Sequence, residues 1–316
     1  METQICCADG TFFIMKNLPF TQLYMICAQF RHFDNVFSVP FIFIMMKERK
    51  ALHYEEVFDF IKMKFKDIHN RELEPYKLLI DAEMAVLKTL KKFFPYSKIS
   101  LCRVHILRNM RKKAIEIFGR PFFEGNQDMK NFWSIIKGLF FIPPTCFEIL
   151  KSFFVSTFRE KFINRKNDFD KFLSYLSKNY LNNNAKFVPS IWSNFTSVAD
   201  FQDYSNTTNA IESLNKVLKV RCTTGKINFY KACSIIHAFK VDSLRKFHAS
   251  MWLEDMNPRK LSSVQREQKI LEIMELFCEE NNFDDPVHLC NFAAKFSNYD
   301  ENASVFMKFI SLDSKF

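Results

Sequence analysis

Three carboxylates in this 316-residue sequence have types and settings that could do chemistry: Asp9 in ICCADGTFFIM, Asp81 after YKLLI, and Glu212 in NTTNAIESLNKVLKV. They lie 72 and then 131 residues apart. Brought together, they could hold divalent cations. Phosphodiester cleavage needs a hydroxide-like nucleophile and a stabilised leaving oxygen, and two Mg²⁺ ions about 3.5–4 Å apart supply both. Mg²⁺ prefers carboxylate and water oxygens, and clustered carboxylates repel one another unless a cation joins them. Each residue also has an ordinary explanation. Asp9-Gly10 between apolar runs is a hairpin signal. Asp81 could N-cap the next helix, with Glu83 favouring that helix's positive end. Glu212 could close a capping box with Asn209.

A second motif, LCRVH, carries Cys102 and His105. One C-x-x-H pair is at most half of a four-ligand zinc site. The preferred reading packs both residues beside the carboxylates, with the imidazole near a phosphate or a carboxylate. Basic residues follow both motifs: Arg108, Arg111, Lys112 and Lys113 after His105, and Lys216, Lys219 and Arg221 after Glu212. They would flank the carboxylates where phosphates must pass, or they are solvated helix faces. Trp133 and Trp192 could stack on bases, though core packing is the favoured role.

These side chains must be positioned by ordered elements. Residues 4–15, 21–30 and 36–46 are apolar and β-prone with short polar links, which predicts an antiparallel meander. Residues 53–65 carry Val57, Phe58, Ile61 and Phe65 at helical spacing. Then come a short buried strand over 76–80, a helix over 82–93 stopped by Pro95, a strand over 98–102 and a basic helix over 104–118. The order β-β-β-α-β-α-β-α predicts an α/β fold, a ribonuclease-H-like five-stranded mixed sheet. In such a sheet the first and fourth strands are neighbours and a late helix crosses beside them. The sheet core is expected over 1–120, followed by an all-helical insertion over 121–205. A return to the core over 206–253 carries Glu212, and a helical acidic tail covers 254–316.

Bulk properties limit the alternatives. With 39 Phe and only 5 Gly the chain suits packed helices and strands, not disorder or collagen. Residues 254–316 hold 7 basic and 12 acidic side chains, so the first 253 hold 38 and 23. A basic body of that kind fits a polyanionic partner such as nucleic acid, or is simply a basic soluble protein. The nine Cys lack regular spacing and no signal-peptide pattern precedes them, so reduced thiols in an intracellular compartment are expected. No apolar run of about 18 residues predicts a membrane span.

In combination, ADGTF, the P-F-I-F run from Pro40, LLIDAEMAVLKTL, FFPYSKISLCRVHILRNM and TTNAIESLNKVLK resemble the transposase domain of Mutator-like elements. The resemblance covers about residues 3–118 and 206–220. It implies a DDE-type transposase on a ribonuclease-H-like fold, with helices inserted before the final Glu. It makes Asp9, Asp81 and Glu212 the metal-binding catalytic triad, with two Mg²⁺ or Mn²⁺ ions. Cys102 and His105 become the family's C-x-x-H pair, and Gly10 is expected to let backbone and metal approach. DNA is the implied partner, the nucleus the implied location, and the basic clusters the implied DNA contacts. A homo-oligomer stays open. Family members carry an upstream zinc-binding DNA-recognition module, and this sequence starts eight residues before Asp9. The expectation is therefore a catalytic body without that module. It could be a fragment of a decayed element, a shortened gene start, or a body that takes its specificity from a separate partner. The competing expectation is a domesticated or decayed transposase that binds DNA without cutting it.

Overall fold

A computed structural model describes residues 5–12, 18–32, 35–195, 209–222, 227–252 and 261–298. In chain order the elements are β1 (Ile5–Thr11), β2 (Gln22–His32), β3 (Asn35–Met46), α1 (Ala51–His69), β4 (Lys77–Ile80), α2 (Met84–Phe93), β5 (Lys98–Leu101) and α3 (Arg103–Phe118). Helices α4 (Arg120–Gly125), α5 (Gln127–Gly138), α6 (Phe147–Phe153), α7 (Arg159–Lys161) and α8 (Lys166–Leu176) follow. The chain closes with α9 (Asn209–Cys222), α10 (Phe229–Trp252), α11 (Leu261–Glu280) and α12 (Pro286–Asn298). They form two compact units. One joins residues 1–102 to 205–259, and the other joins 103–204 to 260–316.

The first unit is a five-stranded mixed sheet in the order β3-β2-β1-β4-β5, a ribonuclease-H-like arrangement. β1 and β3 run antiparallel to β2, whereas β4 runs parallel to both β1 and β5. The parallel steps follow from the helices α1 and α2 between strands, since a parallel pair needs a long crossover. Pro40 cannot donate to a ladder and lies on the edge strand β3. It faces Cys27 where the register shifts, the setting in which a sheet tolerates proline.

Side chains alternate across this sheet. Cys7, Leu23, Met25, Cys27 and Leu79 point to one face and are covered by Ile211 and Leu218 of α9 and Ala232, Ile236 and Phe239 of α10. The opposite face meets α1, where buried Tyr54 stacks edge-on against Tyr24 at 5.4 Å between ring centroids. Helices thus cover both faces, so the strands read as near-continuous apolar runs.

The second unit is all helical and aromatic. Phe132 of α5 contacts the rings of Phe154, Phe158, Phe162, Phe169 and Phe172. Trp192 is buried against Phe140 and Phe147, and its indole N–H donates to the carbonyls of Phe187 and Tyr180. It therefore packs in the core, while Trp133 sits half-buried edge-on to Phe123.

The division of the chain differs from the expected one at two places. α3, expected in the sheet core, groups with the helical unit, where it packs on α4 and α8. The segment from residue 260, expected as a separate tail, joins the same unit because α12 lies along α5. The physical reason is close approach: Gly138 has no side chain and meets the backbone of Ala293, and Ser134 hydrogen-bonds Ser297 at 2.7 Å. The acidic residues Asp300, Glu301 and Asp313 lie outside the described residues. Among the described residues no helix is long and apolar enough to cross a membrane.

Candidate active site

Asp9 is not in a hairpin turn. It lies inside β1 opposite Met25, with Gly10 opposite Tyr24, and it is buried at 6% exposure. Asp81 follows the last residue of β4. The N-cap position of α2 belongs to Glu83, so Asp81 does not serve as that cap. The β1–β4 register pairs Cys6 with Leu78 and Cys7 with Leu79. Asp9 lies two residues after Cys7 and Asp81 two residues after Leu79, so each follows the last paired positions of these two strands. Neighbouring strands are about 4.8 Å apart. Asp9, within β1, and Asp81, just beyond β4, both lie toward the carboxyl end of this parallel pair. Open α/β sheets bind their ligands at such ends.

The helix bearing Glu212 is tied to this place. Asn215 of α9 donates through Nδ2 to Asp9 Oδ2 at 3.3 Å. Asp9 Oδ1 accepts the Gly10 N–H at 2.9 Å. An ionised carboxylate only accepts hydrogen bonds, so the amide turns its nitrogen to Asp9. This leaves Asn215 Oδ1 buried without a hydrogen-bond partner. Glu212 is half-buried in the first turn of α9, three residues before Asn215 and therefore on the same side of the helix. The side chain of Asn209, the other half of the expected capping box, lies outside the described residues.

Negative charge accumulates here. Tyr24 is buried, and its hydroxyl is held in the neutral form far above the usual phenol range, first by burial and then by Asp81, Tyr54, Glu83 and Asp9. Burial also raises the Glu83 carboxyl, and Asp9 adds to that shift. Arg49 and a hydrogen bond from Tyr54 act against it. Among the described residues, no group of three or more His, Cys, Asp or Glu side chains is gathered closely enough to hold a metal ion. The structure thus brings Asp9, Asp81 and Glu83 into one electrostatic neighbourhood and puts Glu212 on the helix that contacts Asp9. Carboxylate oxygens are the donor type that Mg²⁺ and Mn²⁺ prefer, but the described side chains are not gathered into a ready site for either ion.

Cys102 is buried just after β5, with its backbone N–H donating to Ile80 at 2.7 Å. His105 is half-buried in the first turn of α3. The basic residues divide between the units. Lys216 and Lys219 are exposed on α9, but Arg221 pairs with Asp242 at 2.8 Å and lies over Phe239, so it fastens α9 to α10. On α3, Arg108 and Lys112 are exposed. Arg111 pairs with Glu124 at 2.9 Å over Phe123, and Lys113 pairs with Glu116 beside Tyr175.

Residues 5–109 match the family model of the MULE transposase domain. The match spans all five strands, both aspartates, Cys102 and His105, and it ends before α9. Glu212 and Asn215 therefore lie outside it. No curated protein matches the chain. Transposase chemistry on DNA is the activity at which this MULE-type domain points.

Reasoning from the sequence missed Asn215, Gln22, Tyr24 and Tyr54, and it weighed Glu83 only as a charge near a helix end. A signal for Asn215 was available, because it closes the N-x-x-E-S-x-N run one helical turn after Glu212. If Asp9 holds a metal ion, replacing Asn215 with alanine should raise the Mg²⁺ concentration needed for cleavage by about 10- to 100-fold, the usual loss when a ligand's outer partner is removed. A Mg²⁺ titration of nicking, with melting temperature as the folding control, checks this. An unchanged midpoint would show that Asp9 needs no such tether.

Proposed function

We propose that this chain is the catalytic body of a DDE-type transposase that cuts and joins DNA phosphodiesters, with Asp9, Asp81 and Glu212 holding Mg²⁺ or Mn²⁺. The support that carries the reading is the MULE-type match over residues 5–109, which includes Asp9 within β1 and Asp81 just beyond the neighbouring parallel strand β4. When bound, two such ions supply a hydroxide-like nucleophile and neutralise charge on the leaving oxygen. The protein's own part is positioning. Asn215 and the Gly10 N–H fix both oxygens of Asp9, so the carboxylate meets an incoming cation in one orientation. Glu212 would act from α9, three residues before the Asn215 that contacts Asp9. Exposed Lys216 and Lys219 on α9 and Arg108 and Lys112 on α3 would neutralise DNA phosphates, and each such contact steepens the salt dependence of binding. The reading includes action in the nucleus and admits a homo-oligomer and a separate DNA-recognition partner.

One observation favours a second reading, DNA binding without cleavage: the described carboxylates do not form a ready three-ligand group. Incubating the full chain with supercoiled duplex DNA separates the two. The transposase reading expects nicking with Mg²⁺ or Mn²⁺ that a chelator abolishes, and none on an RNA–DNA hybrid. DNA binding with no nicking under either ion would establish the second reading. Preferred cleavage of the hybrid would indicate an RNA-directed nuclease instead.

A further inference from the structure

The carboxyl end of β1 exposes a ring that the proposed chemistry does not use. Phe12 follows Thr11, the last residue of β1, and is 48% exposed. The Arg49 guanidinium lies over it, 4.9 Å from the ring centroid. Arg49 belongs to the loop that leaves β3 after Met46 and enters α1 at Ala51. Register places ring and loop at one end of the sheet: Thr11 pairs with Leu23, and the adjoining β2 residue, Gln22, pairs with Met46. The loop from Lys47 to Lys50 holds three basic residues and one acidic residue, and Glu48 is taken by Lys50 at 2.6 Å. Lys47 and Arg49 are exposed.

A second observation comes from the other flank of the same end. Phe229 and Tyr230 open α10 and are 45% and 82% exposed. Phe229 meets Phe20, two residues before β2, at 6.1 Å between ring centroids. Open aromatic rings thus accompany exposed cations at the sheet end toward which Asp9 lies. A cation–π stack on a surface adds little to stability, so folding gives no strong reason to keep Phe12 half in water. Trp192, which by its type could stack on bases, is buried in the helical unit.

We propose that Phe12 and Arg49 form a stacking site for an unpaired DNA base beside the phosphate to be cut. This rests on the transposase reading above and narrows its substrate to DNA that is single-stranded next to the cut. A duplex hides the faces of its bases in the stack, so only an unpaired base offers one to the ring. The guanidinium already covers one face of Phe12. Its N–H donors lie in its own plane and can meet the phosphate of the stacked nucleotide. Phe12 is three residues from Asp9, about 10 Å of extended chain at roughly 3.3 Å per residue. That is about three steps of a DNA strand at roughly 3.4 Å each, so one strand can touch both places.

Binding of the full chain to labelled DNA in the presence of a chelator tests this without metal or cleavage. Fluorescence anisotropy compares a blunt duplex with the same duplex carrying a short unpaired overhang that contains a fluorescent purine analogue. Wild type should prefer the overhang by about tenfold, the usual worth of stacking one base on an aromatic ring, and should quench the analogue. Phe12→Ala and Phe12→Leu should lose both the preference and the quenching, whereas Phe12→Trp should keep them. Arg49→Ala should weaken binding to the overhang and lower its salt slope by about one. Tyr96→Ala, which removes an exposed ring just before β5, should behave as wild type. If wild type binds both DNAs equally, or Phe12→Leu keeps the preference, this inference fails while the transposase reading stands. An equal loss in Tyr96→Ala would overturn it as well. If wild type binds neither DNA, both fall. Phe12→Leu retains apolar bulk, so it decides the matter where Phe12→Ala does not fold.

Discussion

Asp81→Asn should lower Mg²⁺-dependent DNA nicking by roughly a thousandfold while the protein stays folded. The exchange is nearly isosteric, so packing around the end of β4 is unchanged. It replaces an anionic oxygen with a neutral amide at the place where the proposed site needs a hard donor. Metal-ion catalysis supplies several kcal/mol of charge stabilisation, and each 1.36 kcal/mol is tenfold in rate. Loss of a ligand forfeits most of it. Stability should move little or rise, because the exchange removes one negative charge from a neighbourhood it shares with Asp9 and Glu83. Nicking of supercoiled DNA and thermal melting, measured on the same preparation, test both halves. Wild-type nicking by Asp81→Asn would remove Asp81 from the site. A lost melting transition would mean that the residue is structural instead.

Gly138→Ala has the second large expected effect, and here two magnitudes oppose each other. Glycine inside a helix costs about 0.5–1 kcal/mol relative to alanine, so propensity alone predicts that the change stabilises α5. The packing says otherwise. A Cβ at position 138 would lie 1.8 Å from the Ala293 carbonyl oxygen and 2.5 Å from its Cα. Those are backbone atoms and cannot rotate aside, so α5 and α12 must separate. Separation strains the Ser134–Ser297 hydrogen bond as well. Overpacking costs about 1–3 kcal/mol and sometimes more, which exceeds the propensity gain. The melting temperature of the helical unit should fall by a few degrees and up to about 10 °C, taking about 2–4 °C per kcal/mol for a unit of this size. A rise in melting temperature would show that the two helices are not in close contact there.

Periodicity and punctuation made much of the sheet unit legible. The alternation of apolar strands with helical spacing led to five strands, and the observed β1–β5 fall within a few residues of the expected stretches. Helical spacing also exposed the insertion. What stayed hidden were contacts between residues far apart in sequence. Nothing local tells that Gln22 reaches Tyr54, that Tyr54 reaches Glu83, or that Asn215 holds Asp9 across 206 positions. Nor does charge alone separate a phosphate contact from a structural ion pair: Arg221 looks like a ligand for DNA in the sequence and is held by Asp242 in the fold.

The sequence by itself determined the class of sheet, Asp9 within the first strand, Asp81 at the close of the fourth, and the motif set that the MULE-type match covers. These follow from short-range rules, because a strand's faces alternate with period two and a residue at its end is placed by its own neighbours. Only the tertiary structure decided that α12 completes the helical unit, that Asp9 is gripped from α9, and that Glu83 is held by a buried tyrosine and glutamine. The reason is that such contacts depend on which surfaces pack, and packing is settled by shape and volume summed over the whole core.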